Sequence, residues 1–407
     1  MKLLVVCQYF HPEQFRVNDI CFELVRRGHE VTVLTGLPNY PQGVVDARYR
    51  WFRNRRETVE GVRVIRSWLL GRGKGALRLA LNYLSFALSS AWKALFMETD
   101  FDLILVYQLS PVTMALPAIL MKRRARKPLV IYCHDLWPES VASAGFHNGS
   151  ALYRILLRLS RWIYSRADTV FASSMMFERY FRDTLRLDVP VVHLPVYAEA
   201  LFEEIPPKGA GDTLDLLFAG NVGEMQSVDT IIRAAAALKD EPGLATVRFL
   251  IVGDGSALER CKALASELDA RNVLFHGQHP VEEMPRFYAR ADAFLVTLGK
   301  NEAISFTLPN KVQSYLAAGR PILGAIDGET RQVVESFDCG LCAAAEDWRG
   351  LAEVVRRFAS DHAAHARWSK NARECYNKNF ARERYFVRLH EALSTVLKGG
   401  DGNHVHE

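Results

Sequence analysis

Glycines and one lysine carry the first chemical signal in this chain. The apolar run Leu214-Asp-Leu-Leu-Phe-Ala219 leads straight into Gly220-Asn221-Val222-Gly223-Glu-Met-Gln226-Ser227. A second run, Val247–Val252, ends in Gly253-Asp254-Gly255, and a third, Val273-Leu-Phe275, leads through His276 into Gly277. Glycine lets a backbone approach a ligand closely, and a helix that follows offers its free N–H groups to an anion. Open α/β sheets bind ligands at the carboxyl ends of their strands, so three such turns in succession point to a phosphate-bearing ligand. Farther on stands Pro309-Asn310-Lys311. A proline at a helix start places Asn310 and Lys311 in the first turn. The helix dipole disfavours a cation there, so a bound anion that attracts both explains Lys311 better than a merely exposed lysine does.

A second candidate is Tyr132-Cys-His134-Asp135-Leu-Trp137-Pro138-Glu139, which follows a strand end. A histidine in that place either hydrogen-bonds a ligand or closes its own loop. No Asp-x-Asp stands at a strand end, and the expected chemistry is independent of metal.

Strands and helices must alternate to hold these residues in place. Leu3–Val6, Glu30–Thr35, Leu103–Tyr107, Leu129–Tyr132 and Thr169–Ala172 read as strands, with helices over 17–27, 111–125 and 150–166. Short, continuously apolar strands separated by helices imply a parallel sheet covered on both faces. The pattern restarts after residue 210, with strands at 214–219, 247–252, 273–275, 293–297 and 321–324 and helices at 227–238, 256–268 and 310–318. Residues 198–213, with Pro206-Pro207, two glycines and several acids, have a linker's composition. We expect two domains, 1–197 and 198–380, and a last helix, 381–397, that packs back on the first.

The 407 residues suffice for two domains. Residues 1–190 hold 27 Lys+Arg against 16 Asp+Glu, a net +11, whereas residues 191–407 hold 24 against 30, a net −6. The basic half should face something negative, nucleic acid or anionic lipid. Seven scattered cysteines fit reduced thiols in a cytosol. Cys339-Gly-Leu-Cys342 has no second pair at zinc spacing and reads as small residues beside a turn. Met1–Phe10 is too short in its apolar run for a secretory leader and reads as a first buried strand.

Residues 48–97 do not fit the sheet. Positions 48–74 hold nine basic and two acidic residues with Trp51, Phe52, Trp68, Leu69 and Leu70 interleaved. Ala76–Met97 is apolar but contains Arg78, Asn82 and Lys93, so it makes a poor membrane span and suits the plane of a membrane interface instead. The plain alternative is a core helix beside a solvated basic loop.

Taken in order, Gly-Asn-x-Gly-x-x-Gln, Ile-Val-Gly-Asp-Gly, Phe-His-Gly, Tyr288-x-x-Ala291-Asp292 and Leu-Pro-Asn-Lys-x-x-Ser-Tyr-Leu-Ala-Ala-Gly-Arg-Pro-Ile resemble the retaining GT-B glycosyltransferases of family 4. Gln8-Tyr-Phe-His-Pro-Glu13 and Leu24–Thr35 look like that family's first strand, loop and helix, and the His134-Asp135 segment is similar to its His-Asp loop. The resemblance covers nearly the whole chain. It is nearest to the bacterial O-antigen, capsule and colanic-acid branch, whose members are often labelled N-acetylfucosamine transferases. It implies an α/β GT-B fold, two Rossmann-like parallel-sheet domains facing a central cleft.

The resemblance further implies roles. His134 and Asp135 would stand near the transferred sugar, and Lys311 would contact the donor diphosphate. Glu13, Arg16 and Asn18 would bound the diphosphate and acceptor. Gly220, Asn221, Gly223, Gln226, Gly253, Gly255, His276, Pro309, Asn310, Ser314 and Tyr315 would line the donor turns. The sequence departs from the family's pattern in places. The Arg and Lys usual after the strand before Gly220 are replaced by Asn221 or Val222 and by Gln226. The Glu-x7-Glu pair falls on Phe306 and Ser314, and the glycine-rich first loop is Arg16-Val17-Asn18. Lys311, with Arg16 or Lys300, would then supply the positive charge, and Ser314 a weaker ribose contact.

The implied activity is retaining transfer of a sugar from a nucleotide donor, UDP-linked, to a polyprenyl-diphosphate-linked saccharide. The enzyme would have no separate cofactor and would work in the cytoplasm, peripheral at the anionic inner face of the cell membrane. Two rivals share these residues: an NDP-sugar 2-epimerase of the same architecture, and a non-catalytic nucleotide-binding assembly protein at the membrane. The epimerase needs more carboxylates than Glu13, Asp135 and Glu139. A NAD dehydrogenase lacks its Gly-x-Gly-x-x-Gly after the first strand, and no recognised module supports nucleic-acid binding.

Overall fold

The computed structural model describes residues 1–402 apart from 52, 143–149 and 210. Phe52 of the basic segment and position 210 of the linker therefore lie outside the described residues. The chain divides into two compact units. One holds Met1–Ser173, Phe177–Leu194 and the last helix from Leu389 on; the other holds Ser174–Met176 and Pro195–Arg388.

The first unit is built on eight strands: β1 (Lys2–Val6), β2 (Glu30–Thr35), β3 (Arg56–Val59), β4 (Val62–Arg66), β5 (Leu103–Gln108), β6 (Leu129–Cys133), β7 (Thr169–Ala172) and β8 (Val191–His193). They lie in the order β3-β4-β2-β1-β5-β6-β7-β8. Every neighbouring pair is parallel except β3 and β4. Leu3, Leu4 and Val6 are wholly buried, as are Leu129, Val130 and Ile131, so both faces of the sheet are covered.

Part of the basic segment proves to be sheet. β3 and β4 form an antiparallel hairpin that turns at Glu60 and Gly61, both with positive φ. That conformation matches the twist of the flanking strands. Its alternating charges conceal a buried one: the Arg66 side chain is fully enclosed, paired with Glu57 and stacked 4.5 Å from the centre of the Tyr49 ring. Charge alone suggested a solvated loop here; pairing and stacking are what allow this arginine inside.

Two helices frame the first unit's loops, α1 (Arg16–Arg26) and α2 (Ala76–Ala94). α2 buries Asn82, Phe86, Ala87, Ser90 and Ala94 on one side. Its other side presents Leu77, Leu81, Leu84, Leu88 and Trp92 to solvent at helical spacing. No helix among the described residues is long and apolar enough to cross a membrane.

The second unit holds β9 (Leu214–Ala219), β10 (Val247–Val252), β11 (Val273–Gly277), β12 (Ala293–Thr297), β13 (Ile322–Ala325) and β14 (Gly340–Ala343), all parallel, in the order β11-β10-β9-β12-β13-β14. Successive residues divide between two cores. Leu216, Phe218, Phe249 and Ile251 enter one; Leu217, Ala219, Leu250 and Val252 enter the other. This period of two sets both faces of the sheet against helices. The strand order reverses between β9 and β12, which is where open α/β sheets bind their ligands. The last helix, Arg382–Gly402, runs from the second unit into the first, where His390 lies 5.5 Å from His29, ring centre to ring centre.

Candidate functional site

In the second unit the three glycine turns are joined to one another. Gly220 N–H donates to Val252 O at 2.9 Å, Val222 N–H to Asp254 O at 2.9 Å and Gly253 N–H to Gly277 O at 2.8 Å. A Cβ on Gly253 would stand 1.8 Å from the Gly220 carbonyl oxygen, and one on Gly255 2.5 Å from that of Val222. The close approach these two glycines permit within the unit is to the neighbouring turn. Asn221 Nδ2 donates to Gln226 Oε1 at 3.0 Å, and Gly223 N–H donates to the same oxygen at 3.2 Å. Asn221 and Gln226 thus brace the first turn.

Lys311 lies against that turn. A Cβ on Gly220 would meet its Nζ at 3.2 Å, so a side chain there would crowd the lysine. The ammonium is sealed from solvent, has no hydrogen-bond partner among the described residues, and sits 3.8 Å from the centre of the Phe218 ring. The ring face offsets part of the cost of burying the charge. Burial still lowers the Lys311 pKa to about 7. A buried cation without a counter-charge is costly, and an incoming anion relieves that cost.

The helix Asn310–Ala317 begins at Pro309 with no side-chain cap, and Asn310 is exposed. The first-turn N–H groups of Asn310 and Lys311 are left to water or a ligand. Ser314 and Tyr315 lie behind this surface. Ser314 Oγ stands 3.1 Å from the Tyr288 hydroxyl and donates to Lys311 O at 2.9 Å. The fully buried Tyr315 hydroxyl donates to Ala219 O at 3.1 Å and accepts from Ala219 N–H at 2.8 Å. Tyr315 fixes the helix to the end of β9 and Ser314 ties it to Tyr288, so both hydroxyls are spent inside the unit. Lys300 is exposed, its N–H donating to Glu346. His276, at the end of β11, keeps Nε2 buried without a partner among the described residues, and burial first, then Arg290, lowers its pKa.

In the first unit Glu13 is buried beneath the loop after β2. Its Oε1 accepts from Asn39 N–H at 2.8 Å and Tyr40 N–H at 2.6 Å. Burial raises its pKa to about 7 against these hydrogen bonds. Asn18 knits the preceding loop: Oδ1 accepts from His11 N–H at 3.1 Å, and Nδ2 donates to Glu13 O at 2.6 Å. Arg16 opens α1, half-buried, and its charge acts on the Tyr107 hydroxyl.

His134 follows β6 with its ring between those of Tyr107 and Tyr132, 4.1 and 4.0 Å away. Its Nε2 is buried without a partner among the described residues, and burial lowers its pKa to about 3. The imidazole is therefore neutral at physiological pH. It can donate or accept a hydrogen bond but cannot arrive as a charged acid. Asp135 is raised by burial against a hydrogen bond from Ser110, and its backbone oxygen accepts from Gln108 Nε2 at 3.1 Å.

Several residues that matter here escaped the sequence reading. Asn82, wholly buried in α2, accepts from Gln8 Nε2 at 2.7 Å and donates to Leu70 O at 2.5 Å and Asn39 Oδ1 at 3.3 Å. It reaches the loop that Glu13 holds. Its one sequence signal was an amide inside an otherwise apolar helix. Tyr9, Phe15 and Tyr40 form a ring cluster beside Glu13, with centres 5.0 to 5.9 Å apart.

One family profile, described as Glycosyl transferase 4-like domain, matches residues 14–200, and another, Glycosyl transferases group 1, matches residues 202–375. The chain is a GT-B glycosyltransferase of the family 4/group 1 type. The transferase is 26% identical over 385 residues to the Escherichia coli (strain K12) protein named as the colanic acid biosynthesis glycosyl transferase WcaI, covering 88% of this chain and 92% of the other. Sucrose-phosphate synthase from Thermosynechococcus elongatus matches its fold with a TM-score of 0.77 at 16% identity, over 98% of this chain and 99% of the other. Anabaena HepE, solved in complex with UDP, matches with a TM-score of 0.70 at 16% identity, over 97% of this chain and 100% of the other. At that identity the two structures speak for the fold.

Proposed function

We propose that the transferase moves a sugar from a UDP-linked donor, an N-acetylated deoxyhexosamine, to a saccharide carried on a polyprenyl diphosphate in bacterial surface polysaccharide synthesis. The observation that carries this reading is the unpartnered Lys311 ammonium beside the Gly220 turn and the uncapped helix it belongs to. Departure of a nucleoside diphosphate builds negative charge, and preorganised N–H groups with a cation are what stabilise it. Gly220, Asn221, Gly223 and Asn310 shape the surface the diphosphate meets. Support for the pathway comes from the name of the WcaI relative, and support for UDP from the HepE complex.

In the first unit, neutral His134 hydrogen-bonds a sugar hydroxyl, and Glu13, Arg16 and the ring cluster around them receive the acceptor. Attack on the same face of the sugar as the leaving group gives retention, with the departing diphosphate taking the acceptor's proton. The enzyme works at the anionic inner face of the cell membrane, held by the excess of basic residues in 1–190.

A thermal-shift panel of nucleotide sugars tests the donor, since a ligand bound only by the folded state raises the melting temperature. UDP and a UDP-N-acetylhexosamine should raise it, and Lys311→Met should remove the rise. A panel in which no nucleotide shifts the protein, or in which Lys311→Met shifts equally, defeats the reading. High salt should release the enzyme from anionic vesicles; retention at high salt removes charge as the tether.

A further inference from the structure

The outer face of α2 is a groove rather than a flat patch. A cavity of about 760 Å³ lies along it, lined by Trp68, Leu81, Leu84, Leu88, Trp92 and Phe96. That is within the roughly 300–1,000 Å³ of small-molecule sites. Trp92 and Phe96 are 67% and 73% exposed, so none of the described residues occupies the groove. α2 spans 19 residues, about 28 Å at 1.5 Å per residue, the scale of an extended lipid chain rather than of a sugar.

The two ends of the groove differ. Its floor begins at Leu70, whose carbonyl oxygen accepts from Asn82 and whose N–H donates to Ser85 Oγ at 3.0 Å. Two residues on, Arg72 donates its N–H to Asn39 Oδ1 at 3.0 Å and sets its guanidinium 5.5 Å from the centre of the Tyr40 ring. Among the described residues no carboxylate pairs with Arg72. The tyrosines 9, 40 and 83 surround it instead. The same Asn39 gives its N–H to Glu13, so Arg72 stands one residue contact from the acceptor loop. At the far end lie Arg56 and Lys93, remote from Glu13 along the helix.

We propose that this groove is a lipid-diphosphate subsite: its apolar wall takes the isoprenoid tail of the acceptor, and Arg72 takes the diphosphate. The proposal rests on the acceptor class given above. Arg72 does not line the cavity but stands two residues beyond Leu70, which does; a cation without a carboxylate partner next to an apolar slot fits an anionic group on a long hydrocarbon, and a guanidinium engages phosphate oxygens in pairs. Asn82 ties the near end of the groove to the acceptor loop. Its side chain fixes Leu70, where the groove starts, and Asn39, which carries Arg72 and Glu13.

The test is binding of a C20 isoprenoid diphosphate to the full-length protein without donor, read by tryptophan fluorescence. Inorganic diphosphate, the C20 alcohol and anionic phospholipid vesicles are the comparators. The isoprenoid diphosphate should bind at least tenfold tighter than inorganic diphosphate. Arg72→Ala should weaken it tenfold or more while leaving the alcohol unchanged. Leu84→Asp with Leu88→Asp should weaken both, and Arg56→Ala with Lys93→Ala neither. Each variant should keep the wild-type melting temperature and its rise with UDP, so that a failed donor reading shows separately. The proposal is overturned by equal binding in Arg72→Ala, by inorganic diphosphate binding as tightly, by loss confined to the Arg56 and Lys93 variant, or by affinity for vesicles alone, which would make this a bilayer face.

Discussion

The Lys311 ammonium stands 3.8 Å above the Phe218 ring, with no hydrogen-bond partner among the described residues. An anion drawn to it would relieve the cost of its burial. Replacing it with methionine keeps the volume and removes the cost of the charge. Lys311→Met should raise the melting temperature of the ligand-free enzyme and weaken UDP at least tenfold, checked by calorimetry with and without UDP. A variant that is both less stable and equally competent for UDP would refute the assignment.

The same residue sets a pH dependence. Folded and ligand-free, Lys311 is lowered to about 7 from its ordinary 10.5. The unfolded chain therefore holds more protons between those values, and from this group stability rises with pH across that window. A diphosphate prefers the charged form, so its binding takes up a proton above pH 7. Titrations of UDP from pH 6.5 to 9 should show affinity falling by up to tenfold per unit. A flat profile with no proton uptake would exclude Lys311 as the contact.

Glu13 offers a contrast between charge and shape. Glu13→Gln keeps an oxygen for the N–H groups of Asn39 and Tyr40, whereas Glu13→Ala strands two buried donors. The alanine variant should lose about 1–3 kcal/mol for each stranded donor, and the glutamine variant much less, read from denaturant unfolding. Equal losses would mean that the loop does not depend on this acceptor.

His134, held neutral by burial to about 3, should give no limb in the rate–pH profile between pH 5.5 and 8. His134→Gln, which can still hydrogen-bond, should keep more activity than His134→Ala. A rate that tracks a titration near 6.5 and vanishes in both variants would point to proton transfer instead.

Much of the second unit was legible because its strands are apolar on both faces and end in glycine. Each of the strands expected at 214–219, 247–252 and 293–297 is present over those residues. The place of Lys311 in the first turn of a helix was legible too, from Pro309 two residues before it. Less legible were contacts that depend on tertiary packing. Nothing local in Gly253 tells that the neighbouring carbonyl fills its missing side chain, or in Tyr315 that its hydroxyl is spent on Ala219. The β3–β4 hairpin was hidden by its charges, because Arg66 is buried only through Glu57 and Tyr49. Asn82 could not be told from a solvated amide until the loop of Asn39 was seen to lie against it.

The carbonyl of Gly220 occupies the space where any side chain at position 253 would have to go. The three connections after β9, β10 and β11 were therefore fitted to one another as a set, and exchanging a single one for that of a distant relative would bring mismatched backbones together. Chimaeras joined outside residues 214–277 should fold, while a join falling between Gly220 and Gly253 should yield insoluble protein.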